Sequence, residues 1–247
     1  MKYVSSFALT VVIALTAMFA FPPTPAKAVV PVFDMGMLTN TVSQDHNVKS
    51  VQRRAEAPML RFLTAPTAAA PVLSASVLSY NPSVELRRAN FAAFVERTRR
   101  VDPQAAADLA ANVKPEIIPQ MHETLKQYGA SAYNLADAYA VWWITAWGVV
   151  NFDPTAEATA AQILAVSRQS ANAMLAIPEF GNLSNAQKQE LAEAYLLYTS
   201  INLTYLDYVK ANPSKQSEVA DAIKQGALKS GMDLDQMVLT ESGFEPR

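Results

Sequence analysis

The chain has 247 residues, 51% of them hydrophobic and 17% charged, with 7 glycines, 15 prolines and no cysteine. That profile fits one or two globular domains and excludes a collagen-like chain, a disulfide scaffold and a wholly disordered polymer. With 20 basic against 22 acidic residues the formal net charge is −2, which gives no electrostatic case for a nucleic-acid partner.

Met1 and Lys2 form a short positive start, Val4 to Phe21 carries no charge, and Pro22 to Ala28 closes on Ala26-Lys27-Ala28. That order reads as a secretory signal over 1–28, cleaved after Ala28. An uncleaved anchor is the competing reading, because the apolar run approaches the length of a spanning helix, but Ser5, Ser6 and the prolines favour cleavage and no span thereafter. A lipoprotein is excluded for want of a cysteine to acylate. Losing Lys2 and Lys27 brings the mature net charge to about −4. The expected location is the bacterial periplasm or the medium beyond it, where a chain without disulfides must rely on a sizeable apolar core.

Residues 29–79 combine repeated prolines with short Ala, Ser and Thr runs, notably Thr64 to Pro71, and show no sustained period. This segment is expected to be a largely irregular tether, with one short helix at most, near 48–57. The globular domain is expected over 80–247. Helices are predicted at 82–101, 103–113, 115–128, 134–151, 154–177, 184–211 and 214–229. Their starts are marked by Asn81-Pro82, Asp102-Pro103 and Asp153-Pro154, and by a capping box of Ser184 and Gln187. Gly129, Pro178, Pro213 and Gly231 mark stops. Strand signals are nearly absent, so the fold class is all-α: a single bundle of six or seven helices around the long 184–211 helix, whose apolar residues surround most of its circumference.

Three charges fall on apolar helix faces. Asp137 is the one charge between Lys126 and Asp153, Arg168 the one between Glu157 and Glu179, and Arg87 lies inside the arc of Val84, Phe91, Phe94 and Val95, with Arg88 on its flank. They predict either a buried ion network that sets helix register or the lining of a pocket for a polar ligand. Glu193 is alone between Glu190 and Asp207 but shares a stripe with Ser200, Thr204 and Asp207, which reads as solvent-facing, with a buried role as the alternative. Arg87, Arg88, Asp137, Arg168 and Glu193 are therefore the candidate ligand-binding residues. Trp142, Trp143 and Trp147, with Tyr139, form an aromatic cluster at helical spacing that reads as core before it reads as a sugar platform.

No catalytic residue, metal ligand set or cofactor motif is assigned. The only histidines are His46, in the tether, and His122, which lacks the partners of a zinc or carboxylate-bridged metal site and reads as a surface or capping residue. Walker, dinucleotide and Ser-centred hydrolase motifs are missing. Glu241-Ser242-Gly243-Phe244 superficially matches a lytic transglycosylase start, but lies too close to the C-terminus for a cleft to be built after it.

Tyr80-Asn-Pro82 with Arg87-Arg88-Ala-Asn90-Phe91, Tyr128-Gly129, Asn134 to Ala138, Trp143, Ala146-Trp147, Ala192-Glu193-Ala194 and an ending of Gly231 to Leu234, Leu239-Thr240 and Gly243-Phe244 occur in one order. Through them the chain resembles, over about 80–244, a family of exported helical bacterial proteins known only as a domain of unknown function. The resemblance implies a shared helical domain behind a variable leader and transfers no activity. The leading expectation is a non-enzymatic module that binds a protein or small molecule in the envelope, in an oligomeric state the sequence leaves open. The alternatives are a cell-wall or glycan hydrolase using Asp137 and Glu193 as paired carboxylates, and a structural envelope protein acting through self-association.

Overall fold

A computed structural model describes residues 75–152, 157–176, 178–229 and 232–247; the expected signal over 1–28, nearly all of the expected 29–79 tether and the expected helix start at Asp153-Pro154 lie outside the described residues. Seven helices form among the described residues: α1 (Val84–Val101), α2 (Pro103–Asn112), α3 (Ile117–Lys126), α4 (Leu135–Val150), α5 (Ala160–Leu175), α6 (Asn185–Ala211) and α7 (Gln216–Lys229). A single helical turn at Pro178–Gly181 leads into α6. The described residues are all-α apart from one antiparallel hairpin, β1 (Met237–Thr240) and β2 (Gly243–Pro246).

Capping side chains set the helix starts. Asp102 serves two helices: its backbone N–H donates to Thr98 at the end of α1, and its carboxylate accepts the Ala105 N–H to begin α2. Thr159 with Gln162 and Ser184 with Gln187 form capping boxes at α5 and α6, each cap contributing about 1 kcal/mol. Gly129 ends the turn after α3 at φ +76°, which an L side chain resists. Two starts differ from expectation. Ser83, not Asn81, caps α1, because Asn81 is engaged by α6; and α5 begins at Ala160, where the Thr159 box satisfies the free N–H groups.

Residues 192–200 of α6 are buried without a break, so that helix is packed on every side. Its 27 residues span roughly 40 Å. α4 is its main neighbour and also packs on α5 and α7, while α1 bridges α6 and α2. The seam between α4 and α6 is aromatic, with ring centroids 5.0 Å apart for Tyr139 and Tyr195 and 5.4 Å for Trp142 and Tyr195. Trp142 and Trp143 lie in this core, and Trp147 is half-buried at its edge.

The hairpin closes one side of the bundle. Phe244 stacks on Trp143 at 4.5 Å, and the Gln169 amide pairs with its backbone, donating to the Phe244 carbonyl and accepting its N–H, both at 2.8 Å. Trp147 donates its indole N–H to the Met237 carbonyl at 3.1 Å. Four-residue strands are too short to show a period of two, and a lone hairpin holds only because α4 and α5 support it.

Candidate functional site

The buried Arg87, Gln189 and Glu193 side chains meet beside an extended strap of residues 79–83. The strap is held by side-chain amides of α6 acting on alternate residues. Asn185 accepts the Asn81 N–H at 2.7 Å and donates to the Asn81 carbonyl at 2.8 Å; one helical turn on, Gln189 accepts the Ser83 N–H at 2.9 Å and donates to the Ser83 carbonyl at 2.8 Å. The i, i+4 spacing of the two amides matches the two-residue step of an extended chain closely enough for both to pair.

Under the strap, α1 and α6 face each other across Glu193, which is 1% exposed. Its Oε1 accepts Arg87 Nε and Gln189 Nε2, both at 2.9 Å, and its Oε2 accepts Asn90 Nδ2 at 2.9 Å. Burial raises the Glu193 carboxyl above its ordinary pKa, against the opposing pull of Asn90, Gln189 and the Arg87 cation. The Tyr80 hydroxyl, pushed well above the usual phenol range by burial and by Glu193, donates to the Ala132 carbonyl at 3.0 Å. Arg87 is nine-tenths buried, yet its Nη2 has no hydrogen-bond partner among the described residues. Its guanidinium carbon lies 5.9 Å from the centre of the Tyr133 ring.

Tyr133 belongs to the loop between α3 and α4, which extends the cluster toward the surface. His122 of α3 stacks on Tyr133 at 4.0 Å, with Nδ1 3.3 Å from Ser131 Oγ. Ser131 Oγ accepts the Tyr133 N–H at 3.0 Å, and the Ser131 N–H donates to Asp137 Oδ2 at 2.9 Å. Burial raises the Asp137 pKa; the Ser131 amide and the neighbouring Ser167 hydroxyl pull it down. Burial lowers the His122 pKa, with Glu123 and Lys126 acting in opposite directions.

The expected network of Arg87, Asp137 and Arg168 does not form. Arg87 pairs with Glu193, and Asp137 is bound by the α3–α4 loop. Arg168 is exposed: the stripe it shares with Leu164 and Leu175 is half-buried, so its long side chain reaches water. Arg88 is also exposed, one residue and about 100° around the helix from Arg87. The solvent-facing reading of Glu193 is corrected as well, because the stripe it shares with Ser200 turns inward against α1 and α4. His122 is half-buried against Tyr133 rather than a free surface residue. Sequence reasoning passed over Gln189 and Asn90 as site residues. They lie four residues before Glu193 and three after Arg87, so helical spacing from the two charges would have found them.

Among the described residues no group of three or more His, Asp or Glu side chains could hold a metal ion, and no helix is long and apolar enough to cross a membrane. Both Glu193 oxygens are taken up by donors, and Asp137 sits in a separate set of bonds, so the two carboxylates share no partner. What the arrangement offers is recognition: a neutralised buried ion pair with a buried guanidinium nitrogen, Arg87 Nη2, whose N–H groups have no acceptor among the described residues, beside a half-buried Tyr–His stack.

No curated protein and no solved structure matches the chain. A family model does, from residue 5 to residue 247, so the match takes in nearly all of residues 1–28 and all of the Pro/Ala segment as well as the helices. The chain belongs to DUF6683, a family of unknown function.

Proposed function

We propose that this protein is an exported, non-enzymatic binding or interaction module, acting in the periplasm or beyond the cell, which engages a small molecule or a protein partner at the strap end of its bundle. The observation that carries the reading is the spare Nη2 of Arg87. Both Glu193 oxygens and the Gln189 amide are satisfied, whereas Arg87 Nη2 is fully buried without an acceptor, and a buried guanidinium donor left in that state costs about 1–3 kcal/mol, a cost that a ligand acceptor removes. The 1–28 leader supports export, and the absence of any spare carboxylate oxygen on Glu193 favours binding over glycan hydrolysis.

Two measurements test the proposal. N-terminal sequencing of the protein recovered from the envelope fraction should begin at Val29; a chain starting at Met1 in the cytoplasm would refute export. A thermal-shift screen against cell-wall fragments, sugars and small metabolites should find a compound that stabilises the fold by about 2.7 kcal/mol at a hundredfold excess over its Kd. Arg87→Lys, which keeps the charge but replaces the three guanidinium nitrogens by one and so removes Nη2, should abolish that shift. Binding that survives the substitution would remove Arg87 from the site.

A further inference from the structure

His122 is the one histidine among the described residues, and it stacks on Tyr133, the loop residue whose carbonyl accepts the Tyr80 N–H of the strap. Ser131 Oγ already accepts the Tyr133 N–H, so its own hydroxyl proton is free to go to Nδ1 of a neutral imidazole, leaving the ring proton on Nε2. The loop held in this way grips the strap at three points. The Tyr80 N–H donates to the Tyr133 carbonyl at 2.9 Å, the Tyr80 hydroxyl to the Ala132 carbonyl at 3.0 Å, and Asn134 Nδ2 to Ser79 Oγ at 3.0 Å. Beneath the strap lie Arg87 and Glu193.

We infer that protonation of His122 loosens the 128–134 loop and, through it, the 79–83 strap, so that the Arg87–Glu193 cluster is covered at neutral pH and opened at acid pH. An imidazolium has no acceptor at Nδ1. The Ser131 hydroxyl then faces two N–H donors, from His122 and Tyr133, and its own proton loses its place. Of the charged groups around the ring, Glu123 of α3 favours the cation and Lys126 of the same helix opposes it. Arg87 of α1 acts across the Tyr133 ring, Asp137 of α4 through the Ser131 amide, Tyr80 of the strap through Tyr133, and Glu193 of α6 through Arg87. The bistable element is the set of three loop-to-strap bonds, which either all hold or are released together. The inference rests on the strap end being the binding end, and describes how access to it is regulated.

The test is NMR on the full chain between pH 5 and 8, following the His122 ring, the Tyr80 and Tyr133 rings, and exchange protection of the Tyr80 amide. His122 should titrate below 6.5, the two tyrosines should report the same midpoint, and Tyr80 amide protection should fall at least about tenfold below it. His122→Gln carries an amide oxygen that accepts the Ser131 hydroxyl without titrating, and should hold the protection at acid pH. Ser131→Ala keeps the histidine but cuts its link to the loop, so His122 should titrate while Tyr80 no longer follows. A His122 titration to which Tyr80 is silent in the parent chain, or an unchanged Tyr80 response in either variant, overturns the inference. No ligand enters the experiment, so its failure is distinct from failure of the binding screen.

Discussion

The sharpest quantitative test of the fold is Arg87→Met, which keeps the apolar stem and deletes the guanidinium. Arg87 and Glu193 have side chains 8% and 2% exposed, so the change leaves a carboxylate out of water without its cation. Removing one partner of a buried pair costs about 3–5 kcal/mol. Here Asn90 and Gln189 still donate to Glu193, so the expected loss is at the lower end, about 3 kcal/mol. For a domain of this size that is a fall of roughly 6–12 °C in Tm. Urea unfolding at pH 7 followed by far-UV circular dichroism measures it directly. Arg87→Met/Glu193→Met leaves no buried charge, only two unpaired amide N–H groups, and should cost less than the two single changes summed. Exposed Arg88→Met should stay within about 0.5 kcal/mol of the parent. An Arg87→Met loss no larger than that of Arg88→Met would refute the buried-pair reasoning.

Other expectations follow from single side chains. Burial raises the Asp137 carboxyl above 3.8, so the folded state holds that proton more tightly than the unfolded chain, and stability should fall as pH rises from 3.8 through the folded value. Asp137→Asn should remove that part of the slope in Tm measured between pH 3 and 7; an unaltered profile would contradict the assignment. Gly243→Ala forces a side chain into φ +110°, with its Cβ 2.3 Å from Gln169 Oε1, and Gln169 cannot yield without losing its bonds to Phe244. The expected cost is about 2–3 kcal/mol, with loss of near-ultraviolet tryptophan ellipticity as the hairpin leaves Trp143, and a neutral result would argue against the clamp. Asp102→Ala removes the α2 cap but not the backbone bond that ends α1, so a loss of about 1 kcal/mol in chemical denaturation is expected, and no measurable loss would contradict the cap.

Much of the architecture was legible because it depends on local chemistry. The aspartate before Pro103, the Ser184–Gln187 box and Gly129 act within a turn of where they stand in the chain, so helix ends could be read from neighbouring residues. The all-round apolar surface of 184–211 likewise indicated a helix enclosed on every side, and α6 is one. Where a side chain had a second claim on it, local reading failed: Asn81 has the form of a cap but is held by Asn185, and Ser83 caps in its place.

Charge partners behave differently, because helical periodicity says which face a residue occupies and not which helix lies opposite. Arg87, Asp137 and Arg168 all stood out as charges on apolar faces, but α1 meets α6, the α3–α4 loop reaches Asp137, and Arg168 extends to water. The pairing of Arg87 with Glu193 joins residues 106 apart, and Gln189 reaches Ser83 across the same separation. The sequence by itself determined the all-α class and most of the helix ends, and singled out Arg87 and Asp137 as charges that burial would make costly. Only the tertiary structure decided that Arg87 meets Glu193, which amides satisfy that carboxylate and which guanidinium nitrogen is left without an acceptor, because those depend on how helices distant in the chain are set against one another in space.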